Sequence, residues 1–191
     1  GSTIVMVVPN SPEFIIAFYT ASLLGIKIAP LPDKSTEDEI QGFCQQLEAS
    51  FILSEKQYPA ASQLPKILTT QADLLFDEIP AKDIKDLFLH FRVGAGNTGF
   101  LYLCSSGSMG DKKVILKTQQ NLLSESRNFS LSTGLSADDL ILCALPLYHA
   151  HGLGNCLMAS LYSGAPLVLF QNRVPLVFAR KELMVLIEEY G

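Results

Sequence analysis

The sequence is poor in charged residues, in cysteine-pair motifs and in long apolar runs, and each shortage excludes a class of protein. Charged residues make up 17% of the 191 residues and the formal net charge is -5, so the chain has no general attraction for nucleic acid or anionic lipid. The longest apolar run, Phe14 to Ile26, is too short to span a membrane, because a membrane-spanning helix needs about 20 residues. No basic segment precedes it, as a secretory signal requires. We therefore expect no nucleic-acid partner and no transmembrane segment.

The four cysteines, Cys44, Cys104, Cys143 and Cys156, lie in apolar surroundings and show no CxxC or Cys/His metal spacing. Isolated cysteines of this kind are typical of the reduced core of a cytosolic protein. The sequence therefore predicts a cytoplasmic protein without a metal site.

Apolar patterning is what the sequence does contain, since apolar residues make up 48% of the chain. This share is enough for one sizeable core and argues against disorder. The predicted strands are Thr3 to Val8, Lys27 to Ala29, Phe51 to Ser54, Phe100 to Cys104, Val114 to Lys117, Asp139 to Leu145 and Pro166 to Phe170. The predicted helices are Pro12 to Leu24, Thr36 to Glu48, Thr118 to Thr133, Gly152 to Ser163 and Pro175 to Tyr190. Their alternation predicts an α/β fold, a mostly parallel sheet with helices on both faces in αβα layers.

The domain prediction is a single subdomain over residues 1–191, with an irregular connecting region at residues 55–99 in which Lys66 to Leu68 is a candidate strand. Gly25 is a natural end for the first helix. Thr36 precedes acidic residues that suit the start of the second helix.

A run of small residues, "SSGSMG" at Ser105 to Gly110, separates two predicted strands and is followed by Lys112 and Lys113. Small residues let the backbone turn tightly and bring its N–H groups against a ligand, while the serines add hydroxyl donors. Such a set of donors suits an anion, and a lysine beside it suits the outer phosphates of a nucleotide. A hairpin loop with solvated lysines explains the composition equally well. The loop is not a Walker A motif, because no Gly-Lys-Ser/Thr closes it.

A second glycine-rich stretch, "GAGNTG" at Gly94 to Gly99, satisfies the GxGxxG pattern. The dinucleotide fingerprint needs a strand before it and a helix after it, whereas here a strand follows. We interpret this stretch as a glycine-rich turn.

Two histidines, His149 and His151, follow a predicted buried strand in "LPLYHAHGLGN". We do not interpret the two histidines as a metal site, because no third ligand lies near them in the sequence. Two interpretations stay open: His149 packs and hydrogen-bonds at the strand end, or it contacts a ligand. Because ligands of parallel sheets bind beyond the carboxyl ends of the strands, this loop and the serine-rich loop are expected to share one pocket.

Together the two motifs resemble those of the adenylate-forming superfamily, which includes acyl-CoA synthetases, adenylation domains of peptide synthetases, acyl-AMP ligases and luciferases. The family's phosphate loop reads roughly Tyr-Thr-Ser-Gly-Thr-Thr-Gly-x-Pro-Lys-Gly-Val, and "CSSGSMGDKKV" matches it. The residues on the phosphate-binding positions are Ser105, Ser106, Gly107, Ser108, Gly110 and Lys113. The family's Pro-Leu-Phe-His-x-x-Gly motif matches Pro146, Leu147, Tyr148, His149 and Gly152.

The match has four departures from the family pattern. Lys112 replaces the proline, Val114 the glycine that follows the family lysine, Met109 the second residue of the Thr-Thr pair and Gln119 the histidine of a following Thr-His-x-Asn-Leu segment. The lost hydroxyl at Met109 and the added bulk at Val114 are expected to weaken or reshape triphosphate binding.

The resemblance implies a two-step reaction of a carboxylic acid substrate with ATP and Mg²⁺. The acid becomes an acyl adenylate with release of pyrophosphate, and a thiol of CoA or of carrier-protein phosphopantetheine then takes the acyl group. The loop and Lys113 bind the nucleotide in this reading. His149 is the catalytic residue, and Tyr148, His149 and Gly152 contact the substrate.

The family's remaining parts, with its magnesium-linked Glu and catalytic Lys, have no counterpart here. The resemblance therefore implies an N-terminal fragment, most like an acyl-CoA synthetase, that is inactive alone and whose partner is the missing remainder of the enzyme. An uncovered apolar surface would favour a homodimer. Two alternatives are a catalytically dead remnant that binds a nucleotide or partner, and part of an amino-acid adenylation domain.

Overall fold

The computed structural model describes residues 2–56, 66–68, 97–105, 113–171 and 179–190. Its strands are β1 (Thr3–Val7), β2 (Lys27–Pro30), β3 (Phe51–Ser54), β4 (Lys66–Leu68), β5 (Gly99–Ser105), β6 (Lys113–Thr118), β7 (Ile141–Cys143) and β8 (Leu167–Leu169). Its helices are α1 (Pro12–Leu24), α2 (Glu37–Gln46), α3 (Gln119–Thr133), a π-helix (Gly152–Met158), α4 (Ala159–Ser163) and α5 (Arg180–Tyr190). The chain divides into two compact units, Gly1–Val8 with Pro12–Gln119 and Pro9–Ser11 with Gln120–Gly191.

The first unit is built on a six-stranded sheet with the strand order β4-β3-β1-β2-β5-β6. All neighbouring strands are parallel except the antiparallel hairpin of β5 and β6. The helix α1 leads from β1 to β2, and α2 leads back past β1 to β3. Because such crossovers are right-handed and these two run in opposite directions, α1 and α2 cover opposite faces of the sheet. The predicted α/β fold with a mostly parallel sheet is confirmed.

Each face of this sheet has its own apolar core. On the α2 side the buried residues form one cluster, called here the α2-side cluster: Val5, Val7, Ala29, Leu31, Ile40, Phe43, Cys44, Ala49 and Ile52. In α1, Phe14 and Phe18 are buried, and the Phe18 ring lies 5.6 Å from that of Phe100 in β5. Burying a side chain of this size contributes about 1.5–3 kcal/mol, so these two layers hold the helices against the sheet.

The helix ends follow the local signals of the sequence. The Glu39 N–H donates to Thr36 Oγ1 at 3.3 Å and the Thr36 N–H donates to Glu39 Oε2 at 3.0 Å, a reciprocal capping box. After α1, Gly25 takes a positive φ of 66°, which glycine adopts without a steric penalty. The Ile26 N–H then closes the helix on the Ala21 carbonyl at 2.9 Å.

The second unit departs from the prediction in β7, which covers Ile141–Cys143 rather than Asp139 to Leu145. The parallel partner β8 supplies a ladder of only three residues. The Leu145 carbonyl accepts a hydrogen bond from the Asn10 side chain instead. A side chain distant in sequence therefore takes the place of a further strand bond.

The predicted helix over Gly152 to Ser163 is also different, because its first seven residues form a π-helix. The Ala159 N–H reaches the Gly154 carbonyl, five residues back. Two glycines near the start weaken the preference for regular α-helix. Only Ala159–Ser163 is α-helical.

Several predictions fall wholly or partly outside the described residues. The last helix is described as Arg180–Tyr190, and residues 172–178 before it lie outside. Of "GAGNTG", Gly94 to Gly96 lie outside, and Gly99 begins β5. The single subdomain with an irregular region at residues 55–99 stays a prediction. Within the described parts of the chain, no helix is both long and apolar enough to cross a membrane.

Gln119, one of the four departures, has a defined structural role at the start of α3. Its side-chain Nε2 donates to the Ser22 carbonyl at 3.0 Å and to Ser22 Oγ at 2.7 Å. These bonds tie the start of α3 to the end of α1 within the first unit.

We expect Gln119→Ala to lower the free energy of unfolding by about 1–2 kcal/mol, because two partly buried hydrogen bonds are lost. Thermal denaturation followed by circular dichroism measures this. The control is Gln120→Ala, which removes only an exposed contact to Ser124 Oγ at 3.3 Å. Equal melting temperatures for the two variants would contradict the role given to Gln119.

Candidate substrate-binding site

The serine-rich loop joins the two strands of the β5–β6 hairpin. Ser105 is the last residue of β5, Lys113 is the first residue of β6, and the two are partners in the antiparallel register. Lys113 is exposed. The predicted site residues Ser106, Gly107, Ser108 and Gly110 lie outside the described residues, as do Met109 and Lys112. The structure therefore defines where the loop begins and ends, and its phosphate-binding role stays a prediction.

Val114, which stands where the family has a glycine, has a packing role. It pairs with Cys104 in the hairpin and is partly buried against the α2-side cluster, as are Tyr102 and Cys104. The added side chain thus covers core surface next to Lys113, the first residue of β6. We infer that this departure contributes to the stability of the hairpin that carries the loop.

The aromatic–histidine loop, Pro146 to Gly152, lies within the second unit and contains backbone hydrogen bonds of its own. Leu147 is fully buried and anchors it. The His149 N–H donates to the Pro146 carbonyl at 3.1 Å, and the Leu153 N–H donates to the His149 carbonyl at 3.0 Å. A turn at His149 therefore leads directly into the π-helix.

The His149 side chain is exposed and has a defined hydrogen-bond polarity. The backbone N–H of His151 donates to His149 Nδ1 at 3.3 Å, and the two imidazole rings stack at 5.3 Å between centroids. Because Nδ1 accepts, the neutral ring carries its hydrogen on Nε2. His149 thus presents an N–H donor at Nε2, the group that an anionic oxygen would accept from. Tyr148 beside it is half-buried.

Gly152 is required by a close approach between the start of the π-helix and the loop. A Cβ atom at this position would clash with the Pro146 carbonyl oxygen, and it would lie 2.8 Å from the Pro146 carbonyl carbon and 3.1 Å from the Leu145 oxygen. Gly152, which matches the family glycine, is therefore required here for the close packing of the π-helix against the Pro146 backbone.

Asn10 is a residue of this site that the sequence reasoning missed. Its side-chain Nδ2 donates to the Leu145 carbonyl at 2.8 Å, and its Oδ1 accepts from the Leu147 N–H at 2.7 Å. The amide therefore holds the backbone on both sides of Pro146. The one available signal was the Asn-Ser pair after the first strand, which is typical of turns and helix starts.

A cavity of about 370 Å³ in the second unit contains none of the predicted site residues. Its walls are Asp138, Asp139, Leu140, Leu142, Leu186, Ile187 and Tyr190. The Asp139 carboxylate accepts from the Ser136 N–H at 2.8 Å and from Ser136 Oγ at 3.0 Å. Two aspartates on the wall would repel a carboxylate substrate, so we assign this cavity no part in acid activation.

The described residues form an α/β fold in which the β5–β6 hairpin and the aromatic–histidine loop carry the two motifs. The model of the AMP-binding enzyme family matches residues 1–191, and the chain therefore belongs to that family. The resemblance found in the sequence is confirmed.

Among curated proteins, the chain is 28% identical over 180 residues to an oxalate–CoA ligase of Arabidopsis thaliana, covering 88% of this chain and 35% of the relative. It is 28% identical over 194 residues to a 4-coumarate–CoA ligase of Vanilla planifolia, covering 90% of this chain and 34% of the relative. The chain thus spans about a third of the length of these relatives.

Among solved structures, the o-succinylbenzoate CoA synthetase (MenE) of Bacillus subtilis, in complex with the acyl-adenylate intermediate OSB-AMP, aligns with a TM-score of 0.76 at 22% identity. The alignment covers 96% of this chain and 46% of that one. A structure of the same enzyme with ATP and magnesium ion aligns with a TM-score of 0.74 at 22% identity over 95% of this chain and 47% of that one. These likenesses confirm the fold.

We expect Gly152→Ala to lower the free energy of unfolding by about 1–3 kcal/mol, because the new methyl group must displace the Pro146 backbone. The matched control is Gly154→Ala in the same π-helix, where a Cβ would meet nothing within 4 Å. Gly154→Ala should be neutral or stabilising by up to about 1 kcal/mol. Urea titration of both variants measures the difference, and equal destabilisation would show that the Pro146 contact is not the cause.

For Asn10→Ala we expect a loss of about 1–2 kcal/mol, because two backbone groups of the loop lose their partner. In Asn10→Asp, only the protonated carboxyl can both donate to Leu145 and accept from Leu147. Folding therefore raises the pKa of the introduced group, whose stabilising effect is present below its unfolded pKa of about 3.9 and is lost as the pH rises. Relative to the parent at each pH, Asn10→Asp should be less destabilised at pH 4 than at pH 7, and Asn10→Ala should show no such trend.

Proposed function

We propose that this chain is the part of an AMP-forming acid–thiol ligase that binds the phosphates of ATP and helps orient the acid. The observation that carries the proposal is the family match over residues 1–191 together with two motifs at family spacing. The named relatives are CoA ligases. The structure of MenE with an acyl adenylate also supports an acid–AMP intermediate.

In the first step a carboxylate oxygen attacks the α-phosphorus of ATP. The bond from that phosphorus to the bridging oxygen of pyrophosphate breaks, and pyrophosphate leaves with the electron pair. The protein must therefore stabilise negative charge on the leaving group and align the carboxylate. Backbone amides of the loop, the hydroxyls of Ser105, Ser106 and Ser108, and the Lys113 ammonium are suited to the first task.

We assign the alignment of the carboxylate to the aromatic–histidine loop. His149 accepts a hydrogen bond at Nδ1 from the His151 N–H, which leaves an N–H at Nε2 to donate to an anionic oxygen. Tyr148 shapes the wall beside it, Gly152 allows the π-helix to begin close behind the loop, and Asn10 keeps the backbone in place. The thiol of CoA or of carrier-protein phosphopantetheine would then displace AMP from the acyl carbon.

Magnesium is required by the proposed chemistry because it neutralises triphosphate charge. Among the described residues there is no group of three His, Cys, Asp or Glu side chains that fits an ion. Mg²⁺ keeps most of its waters and is commonly held by substrate phosphates, so it would arrive with the nucleotide. We assign no step to a protein-bound ion.

The relatives do not identify the acid substrate of this chain, because one is named for oxalate and the other for 4-coumarate. A remnant that binds nucleotide without catalysis is the main alternative, and an amino-acid adenylation domain is the second. We also propose that this chain alone releases no pyrophosphate, since the family's catalytic Lys has no counterpart in it. Pyrophosphate release by the pure chain would contradict that proposal.

Self-association stays a prediction. No residue of α5 is buried, and its exposed apolar side chains are the ones that an association surface would use. They are Met184, Val185, Ile187 and Tyr190.

Calorimetric titration with Mg-ATP tests the nucleotide role. We expect saturable binding that Lys113→Ala weakens by about tenfold to a hundredfold, because a charge-assisted bond to phosphate is lost. The matched control is Lys117→Ala, in the same strand but about 13 Å further along it. Equal weakening in both variants would indicate a general charge effect. Absence of binding by the parent would remove the claim that this chain alone carries a working phosphate loop.

A further inference from the structure

The cavity of about 370 Å³ in the second unit combines apolar walls with two carboxylates. It is lined by the turn that leads into β7, by β7 itself and by α5. Its apolar walls are Leu140, Leu142, Leu186, Ile187 and Tyr190, and its charged walls are Asp138 and Asp139. Pockets for small organic ligands commonly have volumes of about 300–1,000 Å³, so the cavity is large enough for one.

We propose that this cavity binds an aliphatic ammonium compound, with the alkyl chain along the apolar walls and the ammonium group at the two aspartates. The inference does not depend on the proposed ligase activity, because the walls include no residue of the serine-rich loop or of the aromatic–histidine loop.

The apolar walls of the cavity are partly exposed to water. Leu140 is 42% exposed, Ile187 is 46% exposed and Tyr190 is 52% exposed. Removing apolar surface of this kind from water is favourable, so an alkyl chain that covers these side chains gains binding free energy. Tyr190 also supplies an aromatic ring, whose negative face attracts a cation.

The two carboxylates are carried on a turn with a defined geometry. Asp139 Oδ2 accepts hydrogen bonds from the Ser136 N–H at 2.8 Å and from Ser136 Oγ at 3.0 Å, and the Asp138 N–H donates to Ser136 Oγ at 3.3 Å. Within the part of the chain that the structure describes, the Asp138 carboxylate makes no hydrogen bond or ion pair. The Asp138 carboxylate and the second oxygen of Asp139 are therefore available to a ligand that brings hydrogen-bond donors and positive charge.

The charges on α5 favour the same sign of ligand. Glu188 and Glu189 follow Ile187 directly and are exposed. The basic residues of α5, Arg180 and Lys181, stand at the other end of the helix, and Lys181 lies about 9 Å along the axis from Ile187. A negative potential at the cavity attracts an ammonium group and repels a carboxylate. The charges thus select a cation, and the apolar walls select one with an alkyl chain.

The test uses octylammonium chloride as the probe in an NMR titration of the ¹⁵N-labelled chain. We expect saturable amide shifts confined to residues 138–142 and 186–190. Heptylammonium should bind about two- to fourfold more weakly, because one methylene fewer is buried. Octanol has the chain without the charge and octanoate has the opposite charge, so both should bind more weakly than octylammonium.

A pair of matched variants separates the cavity from general charge. Asp138→Asn should weaken octylammonium binding about two- to fivefold, the range expected for an exposed charge pair, and should leave octanol binding unchanged. The control, Glu189→Gln, removes the same charge from a residue of α5 that does not line the cavity, and it should bind octylammonium nearly as the parent does. Circular dichroism confirms that both variants are folded.

Three results would overturn the proposal. The first is equal weakening in the two variants, which would indicate a general charge effect. The second is equal affinity of the parent for octanol and octylammonium, which would show that the carboxylates select nothing. The third is a set of shifts at residues 138–142 and 186–190 on dilution of the chain alone, with no response to octylammonium, which would assign this surface to a second copy of the chain.

Discussion

The side-chain amide of Asn10 is the contact on which the arrangement of the second unit depends. One amide group supplies a donor to Leu145 and an acceptor to Leu147, so the backbone on both sides of Pro146 is held by a residue that is distant in sequence. This contact ends β7 after Cys143 and directs the chain into the turn at His149. The π-helix then begins so close to the same backbone that Gly152 has no room for a side chain.

That arrangement explains how an exposed histidine can still be a well-defined donor. His149 is oriented by its neighbour His151 through a backbone N–H and a stacked ring. Its tautomer follows from this geometry and not from burial.

In and just after the hairpin that carries the serine-rich loop, two residues depart from the family motif, and the two strands of the hairpin are still formed. Val114 replaces a glycine and packs on the α2-side cluster, while Gln119 replaces a histidine and hydrogen-bonds to Ser22 within the first unit. Both departures contribute contacts to the scaffold.

Most of the fold was predictable from the sequence because its signals are local. The apolar runs of β1 and β3, the capping box at Thr36 and the glycine after α1 act over a few residues, and the elements they predict are confirmed. The serine-rich loop and the His149 motif were likewise recognisable from their spacing. Tertiary structure alone decided the short β7, the π-helix and the two hydrogen bonds from the Asn10 side chain. Each of these depends on groups brought together across long stretches of chain, and the local pattern of residues carries no information about such contacts.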